Sequence, residues 1–187
     1  MLRPGPRRRV EGLTIVEVCV IVCVAGVLLA VFVPTFLKHL RTSKVAEASE
    51  QLARMHDGAA AYWLARHADA HGELLTRCLP DRAGPTPELP TVDPVDVVFD
   101  AETTPGAPTW RALGFASDRP TRYVYSFEPV RSGCSVTAAP KAPVVVMRAE
   151  GDLDGDGSRS SFERHAGISR DGELVPLDVL YVSDRTE

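Results

Sequence analysis

The chain begins with one long apolar run. Leu13 to Leu37 is a stretch of 25 residues, and apart from two thiols its only ionisable side chain is that of Glu17. About 20 apolar residues are enough for a helix to cross the hydrocarbon of a bilayer. The pattern therefore predicts a membrane-spanning helix over 13–37 that carries a carboxylate near its start.

Beyond this run, apolar positions recur at the period of an amphipathic helix. They are Val45, Ala48, Leu52, Met55, Ala59, Tyr62 and Trp63. This spacing predicts that the helix continues over 38–72, with one face packed on a sheet and Gly72 as its end. Pro34 lacks a backbone donor, so we expect a kink or a local break in the helix there.

The second half of the chain changes to the pattern of β-strands. TRYVYSFEP, CSVTAAP and APVVVMRAE are rich in β-branched and aromatic residues, which predicts three strands. Asp171-Gly172 lies between two apolar runs and predicts a hairpin, and LDVLYVS predicts a last strand. The expected class is α+β, with the long helix packed on an antiparallel sheet within 119–187.

Residues 73–118 separate the helix from this sheet and are rich in proline. Proline removes a ladder hydrogen bond, so we expect a long surface region with at most a short strand near Val95–Phe99. WRALGF, just before the sheet, predicts a short helical turn whose apolar side chains cover the core.

Charge is distributed unevenly along the chain. Residues 1–12 hold four arginines and one glutamate, and the whole chain has a formal charge of −4. Basic residues before an apolar span favour the cytoplasmic side for that end, which places everything after Leu37 outside the inner membrane. The mildly acidic balance gives no reason to expect nucleic-acid binding.

Glu17 needs an explanation, because a charged side chain deep in a bilayer costs at least about 2.5–3.5 kcal/mol on insertion scales. EGLTIVE followed by an apolar helix resembles the class III signal of type IV pilins and pseudopilins, and the resemblance covers about residues 5–66. It implies that a prepilin peptidase removes a leader, residues 1–12, by cutting between Gly12 and Leu13, and that the new amino terminus is methylated. Leu13 departs from the usual Phe, whereas Pro34 matches a proline common in this helix.

The resemblance also implies a fold and an assembly. The fold is the pilin fold, and Glu17 pairs with the amino terminus of a neighbouring Leu13, which sets the register of a homopolymeric or mixed filament. An inner-membrane platform and an ATPase would assemble subunits that first lie in the inner membrane, with the C-terminal domain in the periplasm, into a surface filament. The alternatives are a type II secretion pseudopilin of a periplasmic filament and a monomeric membrane-anchored calcium-binding module.

GDLDGDGSRSSFER is the segment with the most specific chemistry. It matches D-x-D-x-D-G-x5-E, the spacing of an EF-hand calcium loop. The predicted ligands of a structural Ca²⁺ are Asp152, Asp154, Asp156, Ser158, Ser160 and Glu163. Because a strand precedes it, we expect a solitary loop joining a strand to a short helix, with an affinity of about 10⁻⁴–10⁻³ M. A metal-free Asp/Gly-rich turn is the alternative.

The cysteines and histidines complete the candidate chemistry. Cys78 and Cys134 lie in the exported part, where an oxidising compartment permits a disulfide bond, whereas Cys19 and Cys23 are expected to be small packing residues within the span. His67 and His71 are four apart on the predicted helix but lack a third ligand, so we expect solvent-facing side chains. No spacing links a nucleophile to a base, which indicates that the chain is not an enzyme.

Overall fold

The computed structural model describes residues 14–69, 71–139, 141–153 and 155–183. The chain divides into two compact units, Met1–Thr42 and Ser43–Glu187. The elements are α1 (Ile15–Leu64), β1 (His67–Ala68), β2 (Leu74–Leu75), β3 (Ala83–Thr86), α2 (Ala107–Ala112), β4 (Val124–Pro129), β5 (Pro143–Gly151), β6 (Ser160–Ile168) and β7 (Leu174–Ser183). The α+β class is confirmed. The predictions for 1–12, Gly12, Leu13 and Asp154 fall outside the described residues.

Helix α1 ends earlier than its sequence pattern predicts. It is helical through Pro34 and ends at Leu64, eight residues before Gly72. The Asp69 carboxylate accepts hydrogen bonds from the backbone N–H groups of His71 and Glu73, both at 2.8 Å, which turns the chain into the β1–β2 hairpin. Gly72, with a φ of +81°, belongs to this turn, so its assignment as the helix end was wrong.

His67 is consequently not on the helix. It lies in β1, where its Nε2 is 2.9 Å from the Tyr62 carbonyl oxygen and its ring centroid is 4.1 Å from that of Tyr62. His71 lies in the following turn, so the two histidines do not share a helix face. The helical i, i+4 geometry that a metal pair would need is absent at these two described residues.

Five strands form the main antiparallel sheet, in the order β3-β4-β5-β6-β7. The predictions of β4, β5, β7 and the hairpin at Asp171-Gly172 are confirmed. Two predictions were wrong: residues 134–139 form no strand, and a nine-residue strand, β6, stands where a short helix was expected. β3 lies in the proline-rich region, outside the one segment where we expected a strand there.

The apolar stripe of α1 forms the core with the inner face of this sheet. Ala48, Leu52, Met55, Ala59 and Trp63 are almost completely buried, in one cluster with Tyr125, Phe127, Met147 and Phe162. Trp110, Leu113 and Phe115 of the predicted helical turn join the same cluster, which confirms that prediction. The indole Nε1 of Trp63 donates a 2.9 Å hydrogen bond to the Gly172 carbonyl, so the end of α1 is attached to the β6–β7 turn.

The predicted disulfide bond joins Cys78 and Cys134. Around it, the backbones of Leu79 and Gly133 exchange two 2.9 Å hydrogen bonds, and Val136 N–H donates to the Arg77 carbonyl at 3.2 Å. The segment after Cys134 thus pairs with the chain that follows the β1–β2 hairpin. This pairing explains why it is not a strand of the main sheet.

Candidate functional site

The first part of α1 exposes its apolar side chains. Ile15–Val33 is long and apolar enough to cross a membrane, as an anchor or a signal sequence would, and none of its most apolar stretch is buried inside the chain. Ile15 is 84% exposed and Phe32 is 65% exposed. A helix with this composition therefore needs an apolar environment that the described part of its own chain does not supply.

Glu17 is held by the residue that precedes the helix. The Thr14 backbone N–H and hydroxyl donate to Glu17 Oε2 at 2.7 and 2.8 Å, and the Glu17 N–H lies 3.3 Å from the Thr14 hydroxyl oxygen. This reciprocal arrangement is a capping box, which satisfies donors that the first turn of a helix leaves unpaired. Our sequence analysis missed it, although the T-x-x-E spacing is its signal. Both hydrogen bonds use one carboxylate oxygen, Oε2.

The acidic loop is the connection of a β-hairpin. It joins β5 to β6, so the expectation of a loop between a strand and a short helix was wrong. Asp152 organises it: Oδ1 accepts from Gly155 N–H at 2.8 Å and Oδ2 from Gly157 N–H at 3.1 Å. Asp156 accepts from the Ser158 N–H at 2.7 Å. The loop is therefore folded around the Asp152 carboxylate by its own backbone.

The last two predicted calcium ligands lie in β6 instead of in the loop. Ser160 is fully buried, and its hydroxyl donates to the Gly151 carbonyl at 3.1 Å. Glu163 is paired in register with Arg148, and at 3.3 Å per residue it lies about 10 Å along the strand from Ser160. Within the described ranges, no group of three or more His, Cys, Asp or Glu side chains is placed to hold a metal. Of the predicted ligands that the structure describes, Ser160 and Glu163 belong to β6, whereas Asp152, Asp156 and Ser158 lie in the loop.

Glu163 belongs to a network of charges on the outer face of the sheet. Its Oε1 is 2.7 Å from Arg148 Nε and its Oε2 is 3.1 Å from His165 Nε2. Arg148 also lies 3.8 Å from a Glu128 oxygen and 4.0 Å from a Glu150 oxygen. Burial alone would raise the pKa of Glu163, but the hydrogen bonds from Arg148 and His165 outweigh it and hold that pKa below its ordinary value.

The lowered pKa predicts how Glu163 contributes to stability as the pH changes. A carboxyl whose pKa is lower in the folded state stabilises the fold above its ordinary pKa and loses that contribution as the pH falls through the folded value. We expect Glu163→Gln to lower the free energy of unfolding at pH 7 by more than it does at pH 3, as measured by urea unfolding. If the variant and the wild type differed equally in free energy of unfolding at both pH values, the pairing of ionised Glu163 with Arg148 and His165 would be contradicted. Glu88→Gln, at an exposed carboxylate outside this network, is the control.

Ser161, Glu163 and His165 share the outer face of β6 but do not form a hydrolytic triad. His165 contacts Glu163, and four residues of strand place it about 13 Å from Ser161. A general base must lie within hydrogen-bond reach of its nucleophile. His165 therefore cannot act as the base for Ser161 in this strand.

Comparison with protein-family models, curated proteins and solved structures gives no significant match to this chain.

Proposed function

We propose that the chain is a structural subunit of a type IV pilus-type filament, cut after Gly12 and polymerised through the first part of α1. The observation that carries the proposal is an exposed apolar half-helix with one carboxylate, followed by an α+β unit that has its own core. Such a helix can be covered by lipid and afterwards by copies of itself. This fits a subunit that is stored in the inner membrane and then extracted into a filament.

Glu17 supports polymerisation more than simple anchoring. In a simple anchor the capping box is the one use of Glu17, and an uncharged glutamine could also fill it. In a bundle of apolar helices a buried charge is tolerated only beside an opposite one. Cleavage before Leu13 would create such a charge, the amino terminus, four residues away in sequence. When a neighbouring copy supplies it, the pair specifies one axial register. The partners are then other copies, the prepilin peptidase, the assembly platform and its ATPase.

The experiment that tests this proposal is intact-mass measurement on sheared surface appendages and on membranes of the native cells. The expected result is a sheared species that lacks residues 1–12 and carries one extra methyl group. The same processed mass confined to the membrane would favour the secretion pseudopilin. A chain that still begins at Met1 would overturn the proposal and leave a membrane-anchored module.

Calcium binding stays a prediction, and the hairpin geometry changes its test. Asp152 and Asp156 lie together in the loop, whereas Glu163 is paired with Arg148. We therefore expect Asp152→Asn to weaken calcium binding at least tenfold, and Glu163→Gln to leave it unchanged. Titration calorimetry with CaCl₂ measures both. If both variants lost calcium affinity equally, Glu163 would also be a ligand of the ion. If the wild-type protein gave no heat of binding, the prediction of calcium binding would be wrong.

A further inference from the structure

Two strained backbone positions flank the Cys78–Cys134 bond. Arg77, directly before Cys78, has a φ of +57°, and Ser135, directly after Cys134, has a φ of +56°. In this left-handed region a side chain crowds its own backbone, so glycine usually occupies such positions. Among the described residues other than glycine, Lys141 alone also has a positive φ. Such strain persists only where the surrounding structure imposes it.

The cross-link draws the two segments together at these positions. The Cα atoms of the two cysteines are 3.8 Å apart, whereas opposed residues of antiparallel chains are usually about 4.5–5.5 Å apart. The hydrogen bonds to the carbonyls of Thr76 and Arg77 are 3.3 and 3.2 Å long, and the two between Leu79 and Gly133 are 2.9 Å long. The backbone pairing is therefore weaker on the strained side of the bond, and the disulfide holds the chain there.

The two sulfur atoms of the bond differ in access. Cys78 is 1% exposed, whereas Cys134 is half-buried and lies between the exposed residues Gly133 and Ser135. The rate of thiol–disulfide exchange depends on access and on which sulfur is attacked. Cys134 is therefore the position open to a thiolate, and Cys78 is the leaving group.

We propose that the Cys78–Cys134 bond is a redox-sensitive cross-link, which a dithiol opens in the folded chain and whose opening releases the strain at Arg77 and Ser135. One thiolate of the dithiol attacks Cys134 Sγ and forms a mixed disulfide, while the Cys78 sulfur leaves as a thiolate and takes up a proton. The second thiol of the dithiol then attacks the first, which releases Cys134 as a thiol and oxidises the dithiol to its own disulfide. The protein gains two electrons and two protons.

Opening the bond loosens a connection to the end of α1. The Arg77 N–H donates to the Trp63 carbonyl at 3.2 Å, and the Arg77 carbonyl accepts from Val136. Both hydrogen bonds depend on the direction of the Arg77 backbone, so they weaken when Arg77 leaves the left-handed region. The cross-link can still stabilise the fold, because that contribution comes from restricting the unfolded chain. The inference goes beyond the proposed function and does not require it.

Substitutions of Ser135 test the proposal in opposite directions. Asparagine tolerates the left-handed region better than serine, whereas the β-branched valine tolerates it worse. We expect Ser135→Asn to lower the equilibrium constant for reduction about threefold and Ser135→Val to raise it about fivefold. Lys141→Asn and Lys141→Val are the matched controls, because Lys141 has a φ of +63° at a position that does not flank the bond. They should leave the constant unchanged.

The measurement uses the full chain in a Cys19→Ala/Cys23→Ala background, which leaves only the two bonded cysteines to be labelled. Each variant is equilibrated with mixtures of reduced and oxidised dithiothreitol, and the fraction with two alkylated thiols is determined by intact mass. The melting temperature of each oxidised variant shows that it is folded.

Two results would overturn the proposal. If Ser135→Asn and Ser135→Val had the same equilibrium constant as the wild type, the backbone hydrogen bonds, and not the disulfide, would hold the strained conformation. If dithiothreitol reduced the bond only at urea concentrations that unfold the chain, the cross-link would not open in the folded state. Neither result depends on whether filaments form.

Discussion

Glu17→Ala should abolish the recovery of sheared filaments while leaving the chain in the membrane fraction. In the proposed filament the Glu17 carboxylate is the partner of a neighbouring amino terminus, and breaking a buried pair by removing one member costs roughly 3–5 kcal/mol. An alanine makes the span more apolar, so insertion should not suffer. The measurement is the amount of protein in sheared and membrane fractions by quantitative immunoblotting, which should show a loss of at least a hundredfold from the sheared fraction.

Glu17→Gln distinguishes the charge from the capping box. A glutamine at this position of a capping box can still accept a hydrogen bond from the Thr14 N–H, but it cannot pair with a cation. If the charge sets the register, Gln should fail as Ala does. Filaments formed by Glu17→Gln would mean that the residue serves only to begin α1, and filaments formed by Glu17→Ala would contradict any role in assembly.

Removal of the Cys78–Cys134 bond should lower the free energy of unfolding by about 4 kcal/mol in the chain-entropy model. The bond joins residues separated by 56 positions, so without it the unfolded chain gains many conformations. Urea unfolding of the Cys78→Ala/Cys134→Ala double variant, with the wild type beside it, measures the difference. The segment 76–79, which pairs with 133–136, should be the first to lose protection from hydrogen exchange.

The free cysteines provide the matched control for that measurement. Cys19 and Cys23 are exposed and unbonded, so Cys19→Ala/Cys23→Ala removes two thiols without opening a cross-link. Its unfolding transition should coincide with that of the wild type. If adding a reductant left the wild-type transition unchanged, the disulfide would not be contributing to stability.

Much of the fold follows from local patterns. Apart from Glu17, the span Ile15–Val33 is apolar whatever it packs against. The stripe from Ala48 to Trp63 needs only the helix period to define a buried face. Asp171-Gly172 marks its hairpin because few dipeptides tolerate that turn. These features require no knowledge of distant parts of the chain.

The segment after the acidic loop shows what such patterns leave open. A loop motif indicates which residues have the spacing of ligands, but it does not predict whether the chain beyond the loop is helical. Here Glu163 continues a strand, because β6 pairs with β5 from Ser160 to Gly167 and Arg148 is the cross-strand neighbour of Glu163. This strand pairing joins residues that are not neighbours in sequence, and it places the Glu163 carboxylate beside Arg148.

The sequence by itself determined the apolar span, the amphipathic continuation of α1, most strands of the sheet and the cysteine pair, because each depends on the period or chemistry of nearby residues. Tertiary structure decided the end of α1 at Leu64, the pairing of 133–136 with 76–79 and the strand at β6. Each of these depends on which distant backbone or side chain satisfies a polar group. Local propensity carries no information about that choice.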